Sequence, residues 1–194
     1  QAPALASAAA PGGSYMQIGL SGLFTGGASS VNNEDLAGLQ AGAHDPNRTG
    51  FTVQNVELSL TAAVDPYFDA QTNIIFQIDG EGETVVELEE AFFLSRALPG
   101  GLQLKGGQFY TEFGRHNPQH PHAWSFADQP LILSRLFGGD GLRSQGARLS
   151  WLIPAPWYAE LYAGAQNARG ETVVSFLGEG AGEDGDEEIG GHGL

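Results

Sequence analysis

The sequence predicts an all-β protein, an antiparallel up-and-down transmembrane β-barrel with about seven strands present. Two observations support this prediction. Apolar and polar residues alternate along several segments, which in a β-strand places them on opposite faces. The connections between these segments also fall into two length classes, which is typical of membrane barrels.

The composition excludes several other classes of protein. The chain has 194 residues with 23 Asp or Glu and 8 Lys or Arg, for a net charge of −15. Nucleic-acid binding needs clustered basic residues, so we expect no nucleic-acid partner. The chain has no Cys, which removes disulfides, thiol catalysis and Cys-ligated metal sites.

Four segments show the alternation clearly: 16–24, 55–62, 70–79 and 157–166. In 55–62 every even-numbered residue is apolar and every odd-numbered residue is polar, which is the pattern of a strand with one wet face. Asp65 and Pro66 follow and predict a turn, so we expect a hairpin with the next segment.

Three further strands are less regular: 84–97, 102–113 and 142–153. In the first, strict alternation places Glu90 on an apolar face unless a β-bulge shifts the register. The adjacent Gly106 and Gly107 predict a similar irregularity in the second.

The connections between strands predict how the chain is oriented. Tight turns are expected at 64–67, 98–101 and 154–156. The opposite end has a short connection at 79–83 and two long loops at 25–50 and 114–140. Outer-membrane barrels have tight periplasmic turns and longer external loops, so the long loops are expected outside the cell.

Aromatic residues are grouped at the same two ends. Those near the tight turns are Tyr15, Tyr67, Phe68, Trp157 and Tyr158, and those near the long loops are Phe51, Phe109, Tyr110 and Phe113. Two such levels predict aromatic girdles at the membrane interfaces. The alternative is that these rings form the core of a soluble β-sandwich, which would leave the alternating loop lengths unexplained.

The chain divides into three parts. Residues 1–14 are expected to be a flexible mature N-terminus in the periplasm, 15–167 to hold the strands and loops, and 168–194 to be an acidic, Gly-rich external loop or a truncated end. Seven crossings leave an open edge, whereas a bacterial barrel has an even number of strands, at least eight. We therefore expect the N-terminal part of a larger barrel.

Four stretches resemble porin-like outer-membrane proteins of Gram-negative bacteria: 55–68 (NVELSLTAAVDPYF), 86–93 (VELEEAFF), 98–105 (LPGGLQLK) and 120–128 (HPHAWSFAD). Such proteins are sometimes labelled zinc-regulated outer-membrane proteins, and they are distantly similar to phosphate-selective porins. The resemblance covers roughly residues 51–165. It implies a barrel in the outer membrane and does not identify a transported solute.

Charged side chains on the interior face are the candidate pore-lining residues: Glu57, Asp69, Asp79, Arg148 and Glu160. Glu87 and Glu89 are open candidates for the same face. Carboxylates in a pore favour cations. The similarity to phosphate-type porins would suggest anions, but Lys105 is the single lysine of the chain, so we expect a cation preference. A wet polar interior without selectivity explains the same residues equally well.

The candidate metal ligands lie in the second long loop: His116, His120, His122 and Asp128. Imidazole is a common ligand of zinc, and this set could complete a tetrahedral site. The preferred interpretation is a loop folded inward, held by hydrogen bonds from the histidines and by packing of Trp124 and Phe126. A helix is not expected here, because two prolines interrupt the segment.

A second acidic cluster lies near the end of the chain, at Glu179, Glu183, Asp184, Asp186, Glu187 and Glu188. Carboxylates on a flexible loop can bind calcium, but the spacing does not match an EF-hand, and a solvated loop is the preferred interpretation. Zinc or calcium on the external loops stays open. The sequence has no nucleophile elbow or zinc-protease motif, so we expect no catalytic residues and no enzyme.

Three hypotheses for function remain. The favoured one is an outer-membrane, porin-like barrel for passive passage of small solutes or ions, surrounded by outer-membrane lipid. The second is a non-conducting outer-membrane scaffold or anchor for a partner protein. The third is a soluble zinc-binding β-sandwich. A homo-oligomer and contacts with other envelope proteins stay open.

Overall fold

The computed structural model describes residues 6–9, 15–39, 42–46, 48–79, 82–96 and 98–167. Its strands are β1 (Ala6–Ala9), β2 (Tyr15–Gly27), β3 (Gly50–Ala63), β4 (Phe68–Ile78), β5 (Thr84–Ser95), β6 (Leu102–Tyr110), β7 (Arg143–Leu152) and β8 (Glu160–Gln166). Its helices are α1 (Asn33–Leu39) and α2 (Leu131–Phe137). In this part of the chain, neither helix has the length and apolar character needed to cross a membrane.

The strands form a single antiparallel sheet in the order in which they occur along the chain. Strands β2 to β8 correspond to the seven strands expected from the sequence, so the all-β, up-and-down class is confirmed. Among the described residues β1 and β8 do not pair, and the sheet is open rather than closed into a barrel. Strand β1 lies within the segment expected to be flexible, and 168–194 lies outside the described residues.

The two faces of the sheet have opposite character. In β2 the even-numbered residues from Met16 to Phe24 are exposed, and Leu20 has 66% of its surface accessible. On the other face, Asn55 and Glu57 of β3 are 0% and 2% exposed. Polar residues are therefore buried and apolar residues exposed, which is the reverse of the usual arrangement in water.

A β-bulge in β5 explains the irregular alternation in that strand. Asn73 of β4 pairs with Glu90, whereas the next residue, Ile74, pairs with Leu88, so Glu89 is the extra residue. The bulge lets both Glu89 and Glu90 be buried, and Leu88 remains exposed. The register shift expected from the sequence is confirmed, and Glu90 does not lie on the apolar face.

Two glycines in β6 allow close packing against β5. A Cβ atom on Gly106 would lie 2.6 Å from the ring of Phe93, so the ring occupies the space that a side chain would need. Gly107 has a φ of +132°, a conformation that other residues rarely adopt. The register of β6 with β5 and β7 runs through both glycines without a shift, so the bulge-like irregularity expected at this pair is wrong.

The two long connections lie at the same end of the sheet. One spans 28–49 and contains α1, and the other spans 111–142 and contains α2. The opposite end has only short connections among the described residues, at 64–67, 96–101 and 153–159. The difference in loop length between the two ends, expected from the sequence, is confirmed.

The aromatic residues follow the expectation in part. Tyr67, Trp157 and Tyr158 are exposed at the tight-turn end, and Phe51 is exposed at the other. Phe109 and Tyr110 are buried instead, so their assignment to an interfacial girdle is wrong. Both rings have polar partners on the buried face: the Phe109 ring lies 4.6 Å from the Lys105 ammonium, and the Tyr110 hydroxyl donates a 2.8 Å hydrogen bond to Glu89.

Candidate functional site

The connection 111–142 folds over the polar face of the sheet and is held to it along its length. Asn117 connects the two ends of this segment. Its Nδ2 donates hydrogen bonds to the carbonyls of Thr111 and Leu142 at 2.7 and 2.9 Å. Its Oδ1 accepts the Leu142 N–H at 2.7 Å. Further along, Gln54 of β3 donates to the Ala127 carbonyl at 2.7 Å. We call this connection the inward loop.

His120 of the inward loop lies among three carboxylates of the sheet. Its Nδ1 is 3.0 Å from Glu57 Oε2 and 2.7 Å from Glu89 Oε2. Its Nε2 is 3.0 Å from Glu90 Oε2. The three carboxylates are buried, so they need a counter-charge, and this imidazole contacts all three.

Local backbone structure brings these four side chains together. The bulge in β5 places the consecutive Glu89 and Glu90 on the buried face, where strict alternation would allow one. On the loop side, His120 is extended and precedes a 3-10 turn at Pro121–Ala123. The Ala123 N–H donates to the His120 carbonyl at 2.9 Å and fixes this turn.

The charge of His120 follows from its surroundings. Burial disfavours the charged ring, but contacts with Glu57, Glu89 and Glu90 outweigh burial and raise the pKa of His120 to about 12. The ring is therefore positively charged at neutral pH when no other cation is bound. It attaches the inward loop to the sheet by charge as well as by packing against Tyr110, whose ring centroid is 5.6 Å away.

A second polar group joins the two long connections to each other. His44 Nε2 lies 3.8 Å from both Glu87 Oε2 and Asp140 Oδ1. Arg143, fully buried, forms ion pairs with the same two carboxylates. Beside it, the Asp45 carboxylate accepts the Gln129 N–H at 2.7 Å. Burial raises the pKa of Asp45, although hydrogen bonds from backbone N–H groups act in the opposite direction.

The structure brings together two of the four residues suggested as metal ligands. His120 and His122 have ring centroids 5.8 Å apart, and both approach Glu57 Oε2 at 3.0 Å. His116 instead packs on Phe126, with ring centroids 5.4 Å apart. Asp128 is exposed. The loop is folded inward, and Trp124 packs beside Phe126 at 6.2 Å between centroids.

Strand pairing places four of the five suggested pore-lining residues on the polar face of the sheet: Glu57, Asp69, Arg148 and Glu160. Arg96 donates to Asp69 at 2.8 Å, and Arg148 pairs with Glu112. Asp79 follows β4 and accepts the Glu83 N–H at 2.9 Å within a turn. The acidic cluster at 179–188 lies outside the described residues.

Sequence reasoning missed two residues of the site and left Glu89 as an open candidate for the interior face. Glu90 was not among the candidates, although two adjacent carboxylates in an alternating strand are a signal for a bulge with both side chains inside. Asn117 was also missed. Nothing in the local sequence distinguishes an Asn that closes a long loop from any other loop Asn.

Comparison with known proteins gives one informative relationship. No protein-family model and no solved structure matches the chain. An uncharacterized protein of Aquifex aeolicus (strain VF5) is 44% identical to it over 133 residues. The match covers 69% of this chain and 27% of the relative, so the chain spans about a quarter of that protein's length.

Replacing Asn117 tests how the inward loop is closed. Asn117→Ala removes three hydrogen bonds at a buried position and leaves the Leu142 N–H without its acceptor. We expect a loss of about 2 kcal/mol or more in the free energy of unfolding, measured with urea. Amide hydrogen exchange at Leu142 should also become faster.

Gln119→Ala is the matched control. Gln119 lies in the same loop, and its side chain makes no hydrogen bond with the part of the chain that the structure describes. Equal losses of stability in the two variants would contradict the role assigned to Asn117.

Proposed function

We propose that this sheet is a section of an outer-membrane β-barrel that passes small solutes or ions through its interior. The observation that carries the proposal is the inverted polarity of the sheet. Apolar side chains cover one face and are exposed, whereas polar side chains of the opposite face, among them Asn55, Glu57 and Asn73, are buried where the inward loop crosses it. In a barrel the apolar face contacts lipid and the polar face lines the lumen.

The exposed apolar face is too extensive for an isolated soluble sheet. It includes residues from both edges and the centre of the sheet: Ile18, Leu20, Phe24, Phe76, Val86, Leu88, Leu149, Trp151 and Leu161. Contiguous apolar surface of this kind marks a site of contact with a partner or a membrane. A soluble β-sandwich would cover it with a second sheet, and the described residues form a single sheet.

A membrane location requires further strands. Unpaired backbone groups at a sheet edge cannot be satisfied in lipid, so β1 and β8 need neighbours. In the proposed barrel these neighbours come from more of the same polypeptide or from further copies. The Aquifex relative supports the first source, because the matched 133 residues are 27% of its length.

The charges on the polar face support a preference for cations. Each basic side chain there is already close to a carboxylate: Lys105 Nζ lies 3.5 Å from Glu112 Oε1, and Arg148 pairs with the same group. Glu57, Glu89 and Glu90 all contact the His120 imidazole, and His122 contacts Glu57 as well. The excess of carboxylates would attract cations into a lumen that the inward loop narrows.

A charged substitution on the apolar face tests whether that face contacts lipid or water. Leu20→Arg should hinder assembly in the membrane, because an arginine near the bilayer centre costs about 2–4 kcal/mol. Leu39→Arg is the matched control: the two leucines are 66% and 61% exposed, but Leu39 lies on α1 in a loop. The measurement is the amount of heat-modifiable protein in the outer membrane of a Gram-negative host.

The proposal predicts that Leu20→Arg lowers this amount several-fold and that Leu39→Arg leaves it unchanged. If both positions contact water instead, both variants should be tolerated. That result, or absence of the unmodified protein from the outer-membrane fraction, would overturn the proposal.

Conductance of the full-length gene product tests the passage of solutes. In planar bilayers with a KCl gradient, we expect step-like currents whose reversal potential shows a preference for K⁺ over Cl⁻, because carboxylates are in excess on the lumen face. Insertion without current would favour the non-conducting scaffold, since the inward loop would then act as a plug. Selectivity for Cl⁻ would contradict the charge argument.

A further inference from the structure

Three buried donor atoms face one another where the inward loop meets the sheet. They are Glu57 Oε2, Glu89 Oε2 and His120 Nδ1, and all lie within 4.8 Å of one another. The nitrogen is 3.0 Å from the first oxygen and 2.7 Å from the second. None of the three makes a well-aligned hydrogen bond with any residue that the structure describes.

The burial of these atoms makes the arrangement costly unless a positive charge lies among them. The side chains of Glu57 and Glu89 are 3% and 0% exposed. A buried polar atom without a hydrogen bond costs about 1–3 kcal/mol, and more when it is charged. One metal ion bound in place of the His120 Nδ1 proton would contact all three atoms at once, with release of that proton.

The remaining polar atoms of the same side chains are held in place. Glu57 Oε1 accepts a hydrogen bond from Ser59 at 2.6 Å, and Glu89 Oε1 accepts one from Tyr110 at 2.8 Å. His120 Nε2 is 3.0 Å from Glu90 Oε2. A carboxylate on the far nitrogen of a histidine is the usual outer-shell arrangement of metal-binding imidazoles.

We propose that Glu57, Glu89 and His120 bind a divalent first-row transition-metal ion. Ligands of one such ion, bound at about 2.0–2.2 Å, lie about 3–3.5 Å apart. Nδ1 is at that spacing from Glu57 Oε2, at 3.0 Å, and would move away slightly from Glu89 Oε2, which is at 2.7 Å. An imidazole nitrogen in the set favours zinc and its neighbours over magnesium or calcium, which prefer oxygen ligands.

His122 is the group nearest to completing this site. Its Nδ1 lies 3.0 Å from Glu57 Oε2, and a third of its side chain is exposed. It lies beside the site and outside the group of three mutually close donor atoms, so we do not include it among the ligands.

The second polar group on this face is a weaker candidate for the same ion. His44, Glu87 and Asp140 also lie close together, but their nitrogen-to-oxygen distances are 3.8 Å. Arg143 pairs with both carboxylates and already supplies the positive charge that a metal would bring. Among the described residues, the ion pairs of Glu57 and Glu89 involve histidines rather than arginine or lysine.

Zinc titration of the full chain in detergent, followed by calorimetry, tests the proposal. We expect one Zn²⁺ per chain, with affinity lowered at least tenfold by Glu89→Gln and by His120→Gln. His116→Gln is the matched control, because His116 lies in the same loop but packs on Phe126. It should leave zinc affinity unchanged.

Zinc-edge X-ray absorption of the unmodified chain provides a measurement that does not depend on how the variants fold. We expect nitrogen and oxygen neighbours at about 2.0–2.1 Å with imidazole scattering. Absence of stoichiometric binding, or a shell without imidazole, would overturn the proposal. So would loss of binding in His116→Gln with retention in Glu89→Gln, because the loop histidines alone would then form the site.

The metal site goes beyond the proposed passage of solutes and does not rest on it. The titration needs neither a closed barrel nor a conducting lumen. A chain that conducts but binds no zinc would contradict only the proposed metal site. A chain that binds zinc but never reaches the membrane would contradict only the proposed barrel.

Discussion

Three carboxylates lie side by side on the polar face of the sheet, and a folded chain tolerates buried charges only when a counter-charge reaches them. Glu57, Glu89 and Glu90 belong to β3 and β5, and His120 contacts all three. This contact requires the connection between β6 and β7 to cross the face of the sheet. The burial of the remaining polar side chains depends on that crossing.

The inverted polarity of the sheet follows from the same arrangement. The inward loop covers part of the polar face, and among the described residues no layer covers the apolar side chains of β2 to β8. In the proposed barrel, lipid would contact the apolar face. The polar face, with its carboxylates and the inward loop, would line the lumen. The barrel proposal depends on the exposed apolar face, and the proposed metal ion would bind on the polar face.

The sequence predicted the strands well because a period of two is a local property. It also indicated the bulge at Glu89, since Glu90 disrupted the alternation. It did not predict the partners of His120, because these lie in β3 and β5, far along the chain, and depend on how the loop folds. Phe109 and Tyr110 were misplaced for a similar reason: an aromatic residue at a strand end suits an interface or a polar partner, and alternation does not distinguish them.

The most direct test of the inverted polarity is the accessibility of spin labels along β3 of the full-length protein in lipid nanodiscs. Labels at successive positions from Asn55 to Leu60 should alternate, with high collision rates with oxygen at Val56, Leu58 and Leu60 and low rates at the odd-numbered positions. The odd-numbered positions should lie under the inward loop. Equal, water-like accessibility at both sets would contradict a lipid-facing apolar surface.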